Sequence, residues 1–203
     1  MKNIFSIFAL LCSLNLFAIE PYDSVADLPF DEHGWFGHHE AFTDIFAINQ
    51  PKVAIEVGSW LGLSTRFIAN LLPEDGKVYA VDTWVGSPTE DVHMRDPRRF
   101  HLYQLFLSNV KHAGLQHKIV PIRMASIEAA NGINVMADFI YIDASHEYIE
   151  VYRDVHHWYK HLNPNGVMCG DDWLWPGVRE AVIRAARELN REIYAKDNFW
   201  MFL

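Results

Sequence analysis

Residues 53–66 carry the densest chemical signal in this chain. A short apolar run, Val53–Val57, leads into Gly58-Ser59-Trp60-Leu61-Gly62 and then a segment of helical character from about Leu63, where Ser64 or Thr65 can cap the first turn. Glycines let the backbone pass close to a ligand, and a helix start offers free N–H groups to polar ligand atoms. Strand, glycine loop and helix in this order lay out a nucleotide-type site; a tight strand-to-helix turn with no ligand is the plain alternative. Asp82 closes a second apolar run, Val78–Val81. An acid at that strand end in a doubly wound sheet faces the crevice and can hold both hydroxyls of a ribose; otherwise it caps a loop. His146 follows Asp143 by three residues, just past another apolar run. Its ordinary pKa suits proton removal near neutral pH, which makes it the candidate general base. It reads equally as a metal ligand or as packing beside Tyr148. Two more carboxylates, Asp171 and Asp172, follow the run Val167–Gly170.

The elements that must position these groups alternate. Strand-like runs occupy Val53–Val57, Val78–Asp82, Lys118–Ile122, Phe139–Asp143 and Val167–Gly170. Helix-like stretches lie between them at Leu63–Leu72, Arg98–Ala113, Ser126–Asn131 and Glu147–Leu162, with a further helix to Leu189 that starts at Pro176. Pro73–Gly76 and Asn163–Gly166 read as turns. The segments Glu192–Ala195 and Phe199–Leu203, around Lys196-Asp197-Asn198, read as a hairpin. Strands alternating with helices predict an α/β fold, a doubly wound Rossmann-like sheet. Five parallel strands and the C-terminal antiparallel hairpin make seven. His38–Ile48 has helical spacing of Phe42, Ile45 and Phe46, so residues 19–50 are expected to form a helical leader or lid ahead of the domain at 51–203. The loop Gly86–Pro97 is expected to close over substrate. Trp35, Phe36, Trp84, Trp173 and Trp175 sit in the leader or at strand ends, where they stack on a ligand or simply pack.

The spacing Glu56-x-Gly58-x-x-x-Gly62 departs from the G-x-G-x-x-G of dinucleotide folds. It resembles the first motif of class I S-adenosylmethionine (SAM) dependent methyltransferases. The step Ile142-Asp143-x-x-His146, followed by Gly170-Asp171-Asp172-Trp173, is similar to an O-methyltransferase branch that includes macrocin-type sugar methyltransferases and, more distantly, catechol-type enzymes. The likeness runs over roughly residues 50–203. It implies that Glu56, Gly58, Ser59, Trp60, Gly62 and Ser64 form the glycine-loop part of a SAM site, and that Asp82 holds the ribose. Thr83 and Trp84 would flank the adenosine, Ala125 and Ser126 would meet the adenine, and Asp143 would face the sulfonium. It further implies that Asp143, Asp171 and Asp172 bind Mg²⁺ or another divalent cation, for which hard oxygen ligands are suited. Such a cation would hold the acceptor hydroxyl and lower its pKa; without it, the acids cap loops and repel one another. The implied activity is methyl transfer to a hydroxyl of a small molecule or sugar, with Asp143 and His146 at the reacting end.

Bulk properties narrow the field. The chain has 203 residues, half of them hydrophobic, enough for one α/β domain with its own core. A net charge of −9 and the lack of any basic run argue against a nucleic-acid partner. Thirteen Phe, eight Tyr and seven Trp leave room for a homodimer. Residues 1–18 read as a signal peptide: Lys2, an apolar run from Ile4 to Phe17, then Ala18. That run is too short for a stable transmembrane span, which needs about 20 apolar residues. With Cys12 inside it, Cys169 alone remains, as a buried thiol outside any intrachain disulfide. A signal-like N-terminus points to export, whereas SAM is an intracellular metabolite. The tension supports a second hypothesis, an exported Rossmann-like module that binds a nucleoside or sugar without methyl transfer. A nicotinamide dehydrogenase is a third, weakened by the missing third glycine.

Overall fold

The computed structural model describes residues 21–203; the expected signal segment, with Cys12, lies outside the described residues. In chain order the elements are α1 (His39–Asn49), β1 (Val53–Val57), α2 (Leu63–Leu71), β2 (Lys77–Asp82), α3 (Asp91–Arg95), α4 (Leu102–His112), β3 (Ile119–Arg123), α5 (Ser126–Gly132), β4 (Ala137–Ile142), α6 (Tyr148–Trp158), β5 (Leu162–Gly170), α7 (Pro176–Leu189), β6 (Ile193–Lys196) and β7 (Phe199–Phe202). The sheet has seven strands in the order β3-β2-β1-β4-β5-β7-β6. Pairing is parallel from β3 through β5, and β7 joins β5 antiparallel with β6 at the edge. This is the doubly wound sheet with a C-terminal hairpin that the alternation predicts. Among the described residues no helix is long and apolar enough to cross a membrane.

Period-two alternation divides the core between the two faces of the sheet. Ala54, Phe139 and Tyr141 point to the face covered by α1, α2 and α4, through Phe42, Phe46, Ile68, Leu102 and Phe106. Ile55, Val57, Ile140 and Ile142 point to the other face, against α5, α6 and α7, through Ala129, Val155, Trp158, Val178 and Val182. With both faces buried, the strands read as near-continuous apolar runs.

Three details differ from expectation. The leader is fused into the core, because Phe42 is fully buried against Phe36, Phe139, Tyr141 and Phe199. The Gly86–Pro97 loop contains α3 and is followed by a 3₁₀ turn at Pro97–Phe100. The expected Asn163–Gly166 turn lies inside β5, where pairing with β4 slips between Ala137/Leu162 and Phe139/Val167. Asp138 absorbs that slip. Its carboxylate accepts the Asn163 side-chain amide at 2.7 Å and the Lys52 and Val53 N–H groups. Cys169 is buried, as expected.

Phe42→Ala is expected to lower the unfolding free energy by about 3–5 kcal/mol, the usual cost of emptying a large aromatic site. A shifted urea midpoint at unchanged slope checks this, and a loss near zero would place α1 outside the cooperative core.

Candidate functional site

The cavity opens at the carboxyl ends of the strands, where the order reverses between β1 and β4. It has a volume of about 930 Å³, the upper part of the range for small-molecule sites. Its floor is the loop from β1 to α2. Gly58 has φ +94°, and a Cβ there would lie 1.9 Å from the Asp143 carbonyl oxygen. Only glycine lets β1 and β4 end this close together. Gly62 has φ +78°, and a Cβ there would meet the Phe106 ring at 2.9 Å.

Acids surround this loop. Asp82, at the end of β2, accepts the N–H groups of Ser59 at 3.0 Å, Trp60 at 2.8 Å and Trp84 at 2.7 Å. Burial pushes its carboxyl up, and the three N–H donors offset part of that rise. Glu56 is fully buried inside the loop; Ser59 Oγ donates to its Oε2 at 2.7 Å, and Thr65 Oγ1 donates to the same oxygen. Its other oxygen, Oε1, is buried without a partner, and burial pushes this carboxyl up as well.

A second cluster closes the far end. Tyr141 Oη donates to Asp143 Oδ2 at 3.1 Å and reaches Asp171 Oδ2 at 3.4 Å. Burial, followed by the charges of Asp171 and Asp172, drives the Asp143 carboxyl well above the usual carboxylate range. His38 Nε2 lies 2.9 Å from Asp171 Oδ1, but not at a hydrogen-bonding angle. His146 sits between two carboxylates, with Nδ1 2.8 Å from Glu90 Oε1 and Nε2 2.7 Å from Asp172 Oδ2, and its ring stacks on Trp175. The hydrogen bond to Asp172, reinforced by the charges of both acids, outweighs burial and pushes the imidazole up to about 9. At neutral pH it is therefore a cation donating from both nitrogens. Asn198 Nδ2 donates to Asp172 Oδ1 at 3.1 Å, so the terminal hairpin completes this cluster.

Among the described residues no group of three His, Cys, Asp or Glu side chains is arranged to hold a metal ion. Asp172 gives its oxygens to His146 and Asn198, while Asp171 Oδ1 accepts the Asp172 N–H. Asp143, Asp171 and Asp172 thus meet at one end of the cavity, each held by hydrogen bonds within the protein.

Of the residues expected at the site, Gly58, Ser59, Trp60, Ser64, Asp82, Thr83, Ala125, Ser126, Asp143, His146, Asp171 and Asp172 line the cavity. Glu56, Gly62 and Trp84 do not. Glu56 ties the loop from within, Gly62 turns the chain, and the Trp84 indole packs on Tyr103 and Phe106 while its Nε1 donates to the Trp60 carbonyl. The leader forms one wall through Gly34–His38. Trp35, Trp60 and His93 line the cavity as an aromatic cluster, with Trp60 and His93 stacked at 4.5 Å and 20° and Trp35 tilted against both. Sequence reasoning missed Glu90, His93, Tyr141 and Asp154. Tyr141 was accessible through alternation, being two residues before Asp143 on one strand face. Glu90 and His93, in an irregular loop, give no periodic signal.

A family model described as a methyltransferase domain matches residues 55–173. The flavonoid 3',5'-methyltransferase of Vitis vinifera is 28% identical over 162 residues, which cover 77% of this chain and 59% of that protein. The chain spans 51 to 62% of the length of the curated relatives it matches. Among solved structures, an O-methyltransferase from Bacillus cereus in complex with SAH superposes with a TM-score of 0.66 at 18% identity, covering 85% of this chain and 83% of that one. The O-methyltransferase TomG of Streptomyces achromogenes, in complex with SAM, gives 0.64 at 16% identity, covering 87% and 83%. These likenesses establish a shared fold.

The His146 pairing has a consequence for stability. Its folded pKa of about 9 exceeds the unfolded 6.5, so its contribution is complete below pH 6.5 and is lost as pH rises through about 9. Allowing for partial exposure, the loss is on the order of 2–3 kcal/mol. Chemical denaturation between pH 6 and 10 should show this fall in the unaltered protein and a flatter profile in Asp172→Asn; identical slopes in the two would refute the pairing.

Proposed function

From the premise that this chain belongs to the methyltransferase domain family, we propose that it transfers the methyl group of SAM to a hydroxyl oxygen of a small molecule. The observation that carries this reading is the cavity at the switch point, with Gly58 on its floor and Asp82 and Asp143 at its two sides. The residues present suit the cofactor. Asp82 has carboxylate oxygens for ribose hydroxyls beside a backbone that comes close to the ligand, and the acids at the Asp143 end favour a cationic sulfonium. Bound SAM supplies a methyl carbon on a positively charged sulfur that leaves as a neutral thioether.

The protein's contribution is chiefly positioning. The leader wall and the rings of Trp35, Trp60 and His93 line the cavity with apolar surface that would leave less room for water beside a bound ligand. In this reading His146 takes the hydroxyl proton at Nδ1 once Glu90 moves away, while Asp172 holds Nε2. Asp82 and Asp143 would hold the cofactor, whose methyl group would pass to the acceptor oxygen that His146 has deprotonated. Because His146 must first be neutral, turnover is expected to rise about tenfold per pH unit from 7 towards 9 and then level off. The Glu90→Gln variant, which lacks one of the two carboxylates, should shift that limb to lower pH. A profile identical in the two proteins would remove His146 as the base.

The carboxylates Asp143, Asp171 and Asp172 act here through protein hydrogen bonds, and no step is assigned to a metal. Activity should survive EDTA; a loss restored by Mg²⁺ would return them to the role of cation ligands. Calorimetry with SAM tests the whole reading. Asp82→Ala is expected to weaken binding at least about 100-fold, as loss of a charged, buried contact does. Absence of binding to the unaltered protein would favour the nucleoside- or sugar-binding module instead.

A further inference from the structure

Helix α6 carries an acid inside its apolar stripe. Val151, Val155 and Trp158 are buried, and Asp154, on the same face, is only 3% exposed. Its side chain nevertheless borders the cavity, beside the segment that follows β3. Ser126 Oγ donates to Asp154 Oδ1, and Trp158 Nε1 donates to Ser126 Oγ at 2.8 Å. A hydroxyl has a single proton to give. Ser126 directs it to Asp154, so the serine expected to meet adenine has none left for a ligand. Among the described residues Asp154 Oδ2 has no hydrogen-bond donor. Burial pushes this carboxyl up to about 7, as expected for an acid with too few donors. A buried carboxylate with one oxygen held and one open to a cavity is an acceptor waiting for a ligand N–H or O–H.

The cavity's layout says which ligand group reaches it. Asp82 ends β2, and β3 is the next strand outward. With a ribose at Asp82, its base extends towards the end of β3, where Met124 and Ile127 offer apolar faces to a flat ring. Glycosylated adenine presents one strong donor on its outer edge, the exocyclic amine. We propose that Asp154, oriented by the Trp158–Ser126 relay, is the specificity residue that reads this amine. The assignment rests on the SAM reading above and adds to it the basis for selecting adenine. Hypoxanthine has a carbonyl oxygen at that position, which would set acceptor against acceptor.

Binding calorimetry on the full chain tests this with S-adenosylhomocysteine, its inosyl analogue and its N6,N6-dimethyl analogue. The unaltered protein is expected to prefer the adenosyl ligand over both by about 30-fold or more, the scale set by an unpaired buried polar group. The amide of Asp154→Asn can donate to the hypoxanthine carbonyl, so the preference over the inosyl ligand should shrink about tenfold or more. Equal binding of all three ligands to the unaltered protein would overturn the proposal even if the variant failed to fold. An undiminished preference in folded Asp154→Asn would overturn it too. Failure of the unaltered protein to bind S-adenosylhomocysteine at all would be a different result, removing the cofactor reading and this inference with it.

Discussion

The structure depends on the contact between Gly58 and the end of β4. A methyl group at position 58 would overlap the Asp143 carbonyl. The Gly58 N–H bonds to Val81 and the Asp143 N–H bonds to Val57, both at 2.8 Å. Three strands are thus drawn to one point, and their next residues leave the sheet together. Asp82 and Asp143 are brought to opposite sides of the same loop by backbone geometry, before any side-chain preference acts. A β-branched or bulkier residue at 58 would separate the strands and disperse the acids.

Convergence has an electrostatic cost. Glu56, Asp82, Asp143, Asp171, Asp172 and Glu90 gather around a partly desolvated space, and the first three have their carboxyls pushed up by burial. The protein answers with hydrogen bonds more than with charges: backbone N–H groups for Asp82, hydroxyls for Glu56, Tyr141 for Asp143 and an imidazolium for Asp172. Such a site is biased towards a cation, because a positive ligand relieves repulsion that the fold has not removed. The same bias explains why His146 is held charged.

Most of the fold was legible because both sheet faces are buried and the strands stand out as apolar runs between glycine and proline turns. The glycine loop, Asp82, Asp143 and His146 were legible because each sits at the end of such a run. Other features were hidden for physical reasons. The Asn163–Gly166 segment looks like a turn, yet Asp138 draws it into β5, a side-chain effect between positions 25 residues apart. Trp84 looks like a ligand-stacking ring, yet its φ of +53° turns the indole into the core. Glu90 depends on the path of an irregular loop. Asp154 could be seen only as an acid breaking the apolar stripe of α6, a pattern that becomes informative once Ser126 lies opposite it.

The cavity also draws on distant parts of the chain. Its wall includes Gly34–His38, and Asp172 is braced by Asn198, whose carbonyl also accepts the Trp173 N–H. A growing polypeptide therefore has the leader, the glycine loop and most of the sheet in hand while the Asp172 end still lacks its brace. Only when synthesis has passed the hairpin can the imidazole of His146 settle against a fixed carboxylate. The last residues to be made therefore complete the Asp172 end of a cavity whose floor, the glycine loop, lies far earlier in the chain.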